Sequence, residues 1–359
     1  MTADQASPFV IVHGSDIADY KKCRTLWNFH SNLKPNLNLE LILTGVNAFW
    51  FGSGIHEALA AHAVGENPLS TWTAYCQATA TYDGKGNLVS GFVVDEDTVL
   101  LGLAMLTYYC QSWAPRNYGM RFLHVERAQI VPLFQLTEPL GIWPVGTRVF
   151  YGYKLDGLTQ DSHDRRYILE YKTAAKFESN YDYLLLDEQS GRYWWAEQKR
   201  TGLQIEGVDY IILKKKAIQH LKVLKNGGFS VAKDQDTNYE TAAADIKASG
   251  QDPTQYQEYL DYLREKPENF VMRHTVRRNP DELYYIKESL HGDVLEMLDD
   301  PRINRNPSSW NCGNCQFFEP CLQRWEGSDY KTTLRLRYKV REEPYQRVMQ
   351  DFRAANAGT

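Results

Sequence analysis

The sequence predicts an α/β protein: one catalytic core with helical additions. Apolar residues recur at helical spacing through most of the first 113 positions. From Arg121 to Thr173 the pattern changes to aromatic and β-branched runs divided by a polar loop. A further helical stretch then leads into a short apolar strand. The 359 residues are long for one compact core and short for two full enzyme domains.

Ser15 or Asp16 can cap a first helix that runs to about Phe29 and contains Cys23. Phe49 to Val64 reads as a second helix, with His56, Leu59 and Ala60 at helical spacing. Thr71 to Tyr82 and Asp95 to Trp113 read as helices, and residues 83–87 between them as a turn or loop. Arg121 to Val131 and Arg148 to Leu158 read as strands. Gln160 to Asp164 reads as a hairpin loop and Arg166 to Thr173 as the returning strand. Tyr181 to Arg200 is the next helix, ended by Gly202, and Val208 to Leu213 is a short strand. Residues 217–299 read as polar and mostly helical, with Asn269 to Arg278 extended. Pro301 to Pro307 is a loop, and the charged tail from Tyr330 to Ala355 reads as helical at its end.

With 43% apolar and 24% charged residues, the chain reads as soluble and globular. No apolar run is long enough for a membrane span, and the N-terminus does not read as a secretory signal. The expected location is therefore the reducing cytoplasm, where six cysteines are not a disulfide framework. A net charge of −5 argues against a purely electrostatic nucleic-acid binder, but leaves room for a local basic groove. The candidate groove is Lys199 to Lys225, set against its alternative as a solvated helix face.

Asp156, Glu170 and Lys172 form the candidate active centre. Glu170 and Lys172 lie two residues apart on one strand and so share a face. A hairpin brings Asp156 beside them. Two adjacent carboxylates repel unless a cation lies between them, and a hard ion such as Mg²⁺ or Mn²⁺ prefers such oxygens. The main-chain carbonyl of Tyr171 is a further oxygen donor. Gln189 and Tyr193, spaced i, i+4, share a helix face behind the strand. His56 is a candidate metal ligand, although a histidine in such a position also serves as a hydrogen-bonded core residue. Taken alone, Glu-x-Lys on a strand is a common solvent-face pattern.

Cys312, Cys315 and Cys321 follow C-x2-C-x5-C, and three clustered thiolates call for a fourth ligand. Cys23 is the candidate, 289 positions before Cys312. A zinc ribbon brings two C-x-x-C knuckles and this chain has one, which argues against zinc. Free buried thiols are the alternative. Cys76 and Cys110 read as core thiols.

The ordered set resembles the RecB-type, iron–sulfur branch of the PD-(D/E)xK nucleases. That branch includes the AddB nuclease domain and the CRISPR-associated exonucleases, and phage genomes encode many of its members. The matching pieces are Gly52-Ser53-Gly54-Ile55-His56, Glu126, Leu155-Asp156-Gly157, Leu169-Glu170-Tyr171-Lys172-Thr173 and Gln189-Ser190-Gly191-Arg192-Tyr193, in the family's order between Cys23 and Cys321. The resemblance implies a restriction-endonuclease-like core, with a mixed sheet flanked by helices and a four-cysteine cluster joining the two ends of the chain. It implies His56, Asp156, Glu170 and the Tyr171 carbonyl as ligands of Mg²⁺ or Mn²⁺, Lys172 as the group that orients or activates water, and Gln189 and Tyr193 in support. Glu126 is a weaker correspondence, read as structural. Cys23, Cys312, Cys315 and Cys321 would hold a [4Fe-4S] cluster.

The implied activity is degradation of single-stranded DNA from an end, in recombination, repair or phage DNA processing. A helicase or recombination partner is possible under that reading. The alternative is a DNA-end-binding or adaptor module that keeps the fold without catalysis. The implied organisation is a helical part at 1–125, a nuclease core at 126–215, a helical addition at 216–300, a cysteine segment at 301–325 and a charged tail at 326–359. The helical addition exceeds what a minimal family member needs, and Arg273, Arg277 and Arg278 within it are candidate phosphate contacts, with a plain surface role as the equal alternative. The chain has no phosphate loop of the G-x-x-x-x-G-K-[ST] kind and so no ATP-driven motor of that class.

Overall fold

The computed structural model describes residues 8–33, 35–83, 85, 87–178, 180–265, 270–299 and 302–342. The chain opens on a strand that the sequence pattern did not mark, β1 (Phe9–His13), followed by α1 (Gly14–Lys22) and α2 (Arg24–His30). The single first helix is thus two. His13 rather than Ser15 or Asp16 is the N-cap, and Asp16 in the first turn accepts the His13 amide at 2.8 Å. Cys23 is extended (φ −165°, ψ 116°) and breaks the helix at that point.

A short strand β2 (Leu39–Leu41) leads to α3 (Ala48–Ala63) and α4 (Pro68–Ala78), each capped by an asparagine. The helix expected to reach Tyr82 stops at Ala78, because β3 (Ala80–Tyr82) turns back through β4 (Leu88–Gly91). Next comes α5 (Glu96–Thr107), capped by Asp95. It continues through a π-helical turn (Tyr108–Trp113) into α6 (Ala114–Asn117).

The strands that follow are β5 (Arg121–Val125), β6 (Ala128–Gln135), β7 (Arg148–Lys154), β8 (Gly157–Gln160) and β9 (Arg166–Ala174). The two long strands read from sequence are therefore each bent in two. β6 and β7 pair with β1 in a three-stranded sheet of order β1-β7-β6. β5 and β8 pair with each other and belong to a second sheet. Both strands change sheets at the same level, one at Glu126 and the other at Leu155–Asp156, and the Glu126 amide donates to the Asp156 carbonyl across the seam (3.3 Å). Glu126 has φ +48°, a left-handed conformation rare outside glycine, which lets the strand turn there.

A 3₁₀ turn (Asp182–Leu186) and α7 (Glu188–Thr201) carry the chain across to β10 (Gly207–Lys214), parallel to β9. Gly202 ends α7 with φ +69°. The helix expected from Tyr181 starts later because Asp187, in an extended conformation, caps it. Residues 215–238 form an irregular but hydrogen-bonded loop rather than helix. They are followed by α8 (Tyr239–Ser249), α9 (Gln257–Glu265), the expected extended segment β11 (Val271–Val276) and α10 (Pro280–Leu298). The five-stranded sheet runs β11-β10-β9-β8-β5, with parallel and antiparallel pairs. The chain closes with α11 (Ser309–Gly313), α12 (Phe318–Glu326), α13 (Tyr330–Arg337) and β12 (Tyr338–Val340), which pairs with β2. The end of the charged tail lies outside the described residues.

Alternation along β9 and β10 builds the layers. Leu169, Tyr171, Ile211 and Leu213 face an apolar cluster that contains Phe51, Ile55, Trp72, Leu106 and Tyr109 from the N-terminal helices. Ile168, Tyr210 and Ile212 face the opposite cluster, with Trp194 and Ala196 of α7 and Leu290 and Val294 of α10. The protein is thus a mixed α/β fold with helices on both faces of the sheet. No helix among the described residues is long and apolar enough to cross a membrane.

Candidate active site

Asp156 sits in the bend where β7 becomes β8, not inside a strand. Since Gly157 pairs with Leu169, Asp156 stands opposite β9 where β8 has not yet begun. Its Oδ2 accepts the Tyr171 amide at 2.7 Å, and its Oδ1 lies 3.0 Å from His56 Nδ1. The N–H and C=O of one strand residue leave on the same edge. The Tyr171 carbonyl therefore also leaves β9 toward Asp156, at an edge β8 does not cover. The Tyr171 side chain points the other way, fully buried, with its hydroxyl 3.0 Å from that of Tyr109.

His56 reaches the bend from α3. Among the described residues, His56, Glu126 and Asp156 form the trio of potential ligand groups whose donor atoms lie within 4.8 Å of one another. Two donors each about 2.1 Å from one ion are at most ~4.2 Å apart, so this spacing suits a common cation after slight closure. Glu126, read from sequence as structural, is thus part of the acidic centre. Its carboxylate also pairs with Lys154. The seam between the sheets brings it there, a tertiary feature with no local sequence signal beyond an acid ahead of a strand.

Glu170 and Lys172 share a face of β9, as expected, but Glu170, expected to bind the metal with His56 and Asp156, is not in the trio, where Glu126 stands instead. Lys172 Nζ lies 3.3 Å from Glu170 Oε2. Burial, reinforced by the Asp156 charge, pushes the Glu170 carboxyl up to about 8. Burial would also raise Asp156, but the His56 ring, the Tyr171 amide and Lys172 outweigh it and hold Asp156 below its ordinary value. Burial disfavours charge on His56 and Lys172, yet the surrounding carboxylates reverse this and raise both. The centre is therefore a crowded, buried set of acids interleaved with His56, Lys172 and Lys154.

Gln189 and Tyr193 do share a face of α7, where the Gln189 amide donates to the Tyr193 hydroxyl at 2.7 Å. The Tyr193 ring packs 6.1 Å from that of Tyr153 on β7. Asp187, missed in the sequence reading, accepts the Tyr210 hydroxyl at 2.7 Å and adds negative charge felt by Glu170 and Lys172. Its signal was a cap-forming aspartate two positions before Gln189. Of the three arginines expected at phosphates, Arg277 is exposed and the other two are engaged within the fold. Arg273 donates to buried Asp209 (2.7 Å), and Arg278 donates to the Leu185 and Asp187 carbonyls. Nor do Lys199 to Lys225 form one groove. Lys199 donates to the Pro132 carbonyl and Arg200 to Glu197, both at the far end of α7.

Cys23, Cys312, Cys315 and Cys321 line one cavity of about 760 Å³, together with Phe29, Phe317 and Trp325. None of the four is in a disulfide. The Thr25 amide donates to the Asn304 carbonyl (3.2 Å) and the Asn306 side chain to the Lys22 carbonyl (2.9 Å), which fastens the Cys23 break to the C-terminal segment. Cys76 and Cys110 are buried in the helical core, as expected of core thiols.

No family model matches the chain, and no curated protein does. Among solved structures, that of SSO0001 overlays with a TM-score of 0.34 at 9% identity, over 88% of this chain and 86% of that one. A Eubacterium rectale chain named “Putative exonuclease” overlays with a TM-score of 0.40 at 8% identity, over 97% of this chain and 93% of that one. Overlays this loose carry no argument about function, and the site stands on its own geometry.

Proposed function

We propose that the protein is a metal-dependent nuclease that hydrolyses DNA phosphodiester bonds. The observation that carries this reading is the seam itself: His56, Glu126 and Asp156 converge within 4.8 Å beside the strand bearing Glu170 and Lys172. Three buried or half-buried carboxylates gathered around one histidine, with Lys154 and Lys172 at their edges, are more than a structural seam needs. Oxygen-rich donors with one imidazole suit Mg²⁺ or Mn²⁺. When bound there by His56, Glu126, Asp156 and the Tyr171 carbonyl, such an ion would supply Lewis acidity and a water of lowered pKa.

The chain's own groups supply the rest. The Tyr171 amide fixes the Asp156 carboxylate, and the Tyr109–Tyr171 hydroxyl pair anchors the strand behind it. Lys172, held protonated by Glu170, Asp156 and Asp187, is the cation placed to meet a scissile phosphate and stabilise its developing charge. Glu170 restrains the ammonium. Gln189 and Tyr193 support the adjoining face of α7. Preference for a single-stranded end, action as an exonuclease and a helicase or recombination partner rest on the motif order alone. A [4Fe-4S] cluster suits the donor set at the other end of the chain, four thiols around a cavity far larger than a single ion needs. Four-cysteine ligation of such a cluster ties distant segments together.

The test is digestion of 5′- and 3′-labelled single-stranded, linear duplex and circular DNA with Mg²⁺ or Mn²⁺. The wild-type chain is expected to release nucleotides from linear single strands and to spare circles. Asp156→Asn and Lys172→Met are expected to lose at least about a hundredfold in rate, with unchanged circular dichroism. Full activity in both variants would sink the site.

A further inference from the structure

We infer that the insertion between β10 and β11 is a clamp for a single-stranded nucleic-acid backbone, with Lys222 and Lys225 as its phosphate contacts. The inference rests on the nuclease reading and adds the surface that holds the substrate. The insertion leaves the sheet beside the candidate site. At its base the Lys215 amide donates to the Ala174 carbonyl at 2.7 Å, at the end of β9 and two residues, about 7 Å of strand, beyond Lys172.

Charge singles it out. Between Tyr210 and Lys233 there is no Asp or Glu, and six lysines stand at 214, 215, 216, 222, 225 and 233, in a chain whose net charge is −5. Asp236 neutralises the base, pairing with Lys214 (2.6 Å) and Lys216 (3.5 Å). Lys222 and Lys225 are exposed and have no ionic partner among the described residues. Lysine faces that only confer solubility usually alternate with acids. This segment does not, and it also exposes Val223 and Val231 between the lysines.

The segment is built, not slack. Val223 bridges Phe229, the Leu224 amide donates to the Gly228 carbonyl (2.7 Å), and Gly227 turns the tip at φ +83°. Leu221 is buried in a separate apolar cluster with Ile246, Tyr256 and Tyr259, and its amide donates to Asp245 at 2.7 Å. The Tyr256 hydroxyl accepts the Phe229 amide at 3.1 Å. A finger with its own core holds its lysines in place, which lowers the ordering cost of binding a flexible strand.

The experiment is anisotropy of a fluorescein-labelled oligothymidine against sodium chloride concentration, with EDTA present so that binding is read without cleavage. The wild-type chain is compared with Lys222→Ala/Lys225→Ala and with a control at an exposed lysine outside the insertion, Lys85→Ala. Each lost single-strand phosphate contact removes about 0.7 from the slope of log K against log salt. The double variant is therefore expected to lose about 1.4 of slope and to bind about tenfold or more weakly at low salt. In cleavage, KM should rise while kcat at saturating DNA stays unchanged, and the control should match wild type. An unchanged slope in a folded double variant overturns the clamp and leaves the nuclease reading standing. So does a fall in kcat without a slope change, which indicates a structural effect. A folded wild-type chain that neither binds nor cuts DNA overturns both.

Discussion

At Glu126, three demands fall on one residue. Its backbone turns the chain from one sheet to the other at φ +48°, its amide donates to the Asp156 carbonyl, and its carboxylate meets His56 and Asp156. Burial raises its pKa, and Lys154 partly offsets that. A group so placed is best satisfied by a cation. Glu126→Gln keeps the shape and removes the charge, so it is expected to weaken Mn²⁺ binding about tenfold or more in isothermal titration, with little change in the melt. An isotherm equal to wild type would leave the Lys154 pair as the sole work of the carboxylate. Sequence reading found Asp156, Glu170 and Lys172 because a two-residue period and a hairpin are local facts. It undervalued Glu126 because nothing local reports that two strands change sheets at one level. The arginines at 273 and 278 misled for the same reason. Their partners, Asp209 and the carbonyls before α7, are set by tertiary packing.

Elements whose punctuation is local were legible. Asp95 capped the expected helix, Gly202 ended another at φ +69°, and the loop at 161–165 closed the β8–β9 hairpin. Two breaks were not read: Cys23, with no Gly or Pro beside it, interrupts an apparently continuous helix, and Leu155–Asp156, although followed by Gly157, interrupts an apparently continuous strand. α3 shows how packing carries the site. His56 lies two residues after Gly54, and a Cβ at Gly54 would come within 2.5 Å of the Tyr75 ring and 2.7 Å of Trp72. From α5, a Cβ at Gly102 would reach 2.2 Å from the same indole, which is fully buried and donates to the Val99 carbonyl. Both helices depend on bare backbone against Trp72. Gly102→Ala is expected to cost about 1–3 kcal/mol by overpacking. Gly54→Ala should cost a similar amount and, by tilting α3, also lower nuclease rate. Thermal melts paired with cleavage assays separate the two. A Gly102→Ala melt equal to wild type would show that the indole moves aside freely.

At the scale of the whole molecule, the early segment around Cys23 and the late segment from Cys312 to Cys321 meet around one cavity. Cys23 and Cys312 are separated by 289 positions, and closing a free loop of that length costs about 5 kcal/mol in the logarithmic term alone. The contacts that already hold the closure include a small buried cluster of Leu26, Phe29, Phe317, Leu334 and Tyr338, in which Phe29 stacks on Phe317 with centroids 5.2 Å apart. They also include the short β2–β12 ladder, the bonds of Arg341 to Asn38 and His30, and those joining residues 22–25 to 304–306. The two apolar clusters flanking the central sheet include none of the residues from 304 onward. The C-terminal segment therefore depends on this junction more than the sheet does. Cys23→Ala is expected to release it while the core persists. The variant should lose the visible absorbance near ~400 nm expected of an iron–sulfur thiolate centre. It should become sensitive to proteolysis between α10 and α11, and show an early melting step ahead of the main transition. Cys76→Ala, in the helical core, should keep the absorbance and melt in one step. Anaerobically purified protein that is colourless, with Cys23→Ala as protease-resistant as wild type, would show that stacking and the β2–β12 ladder close the chain unaided.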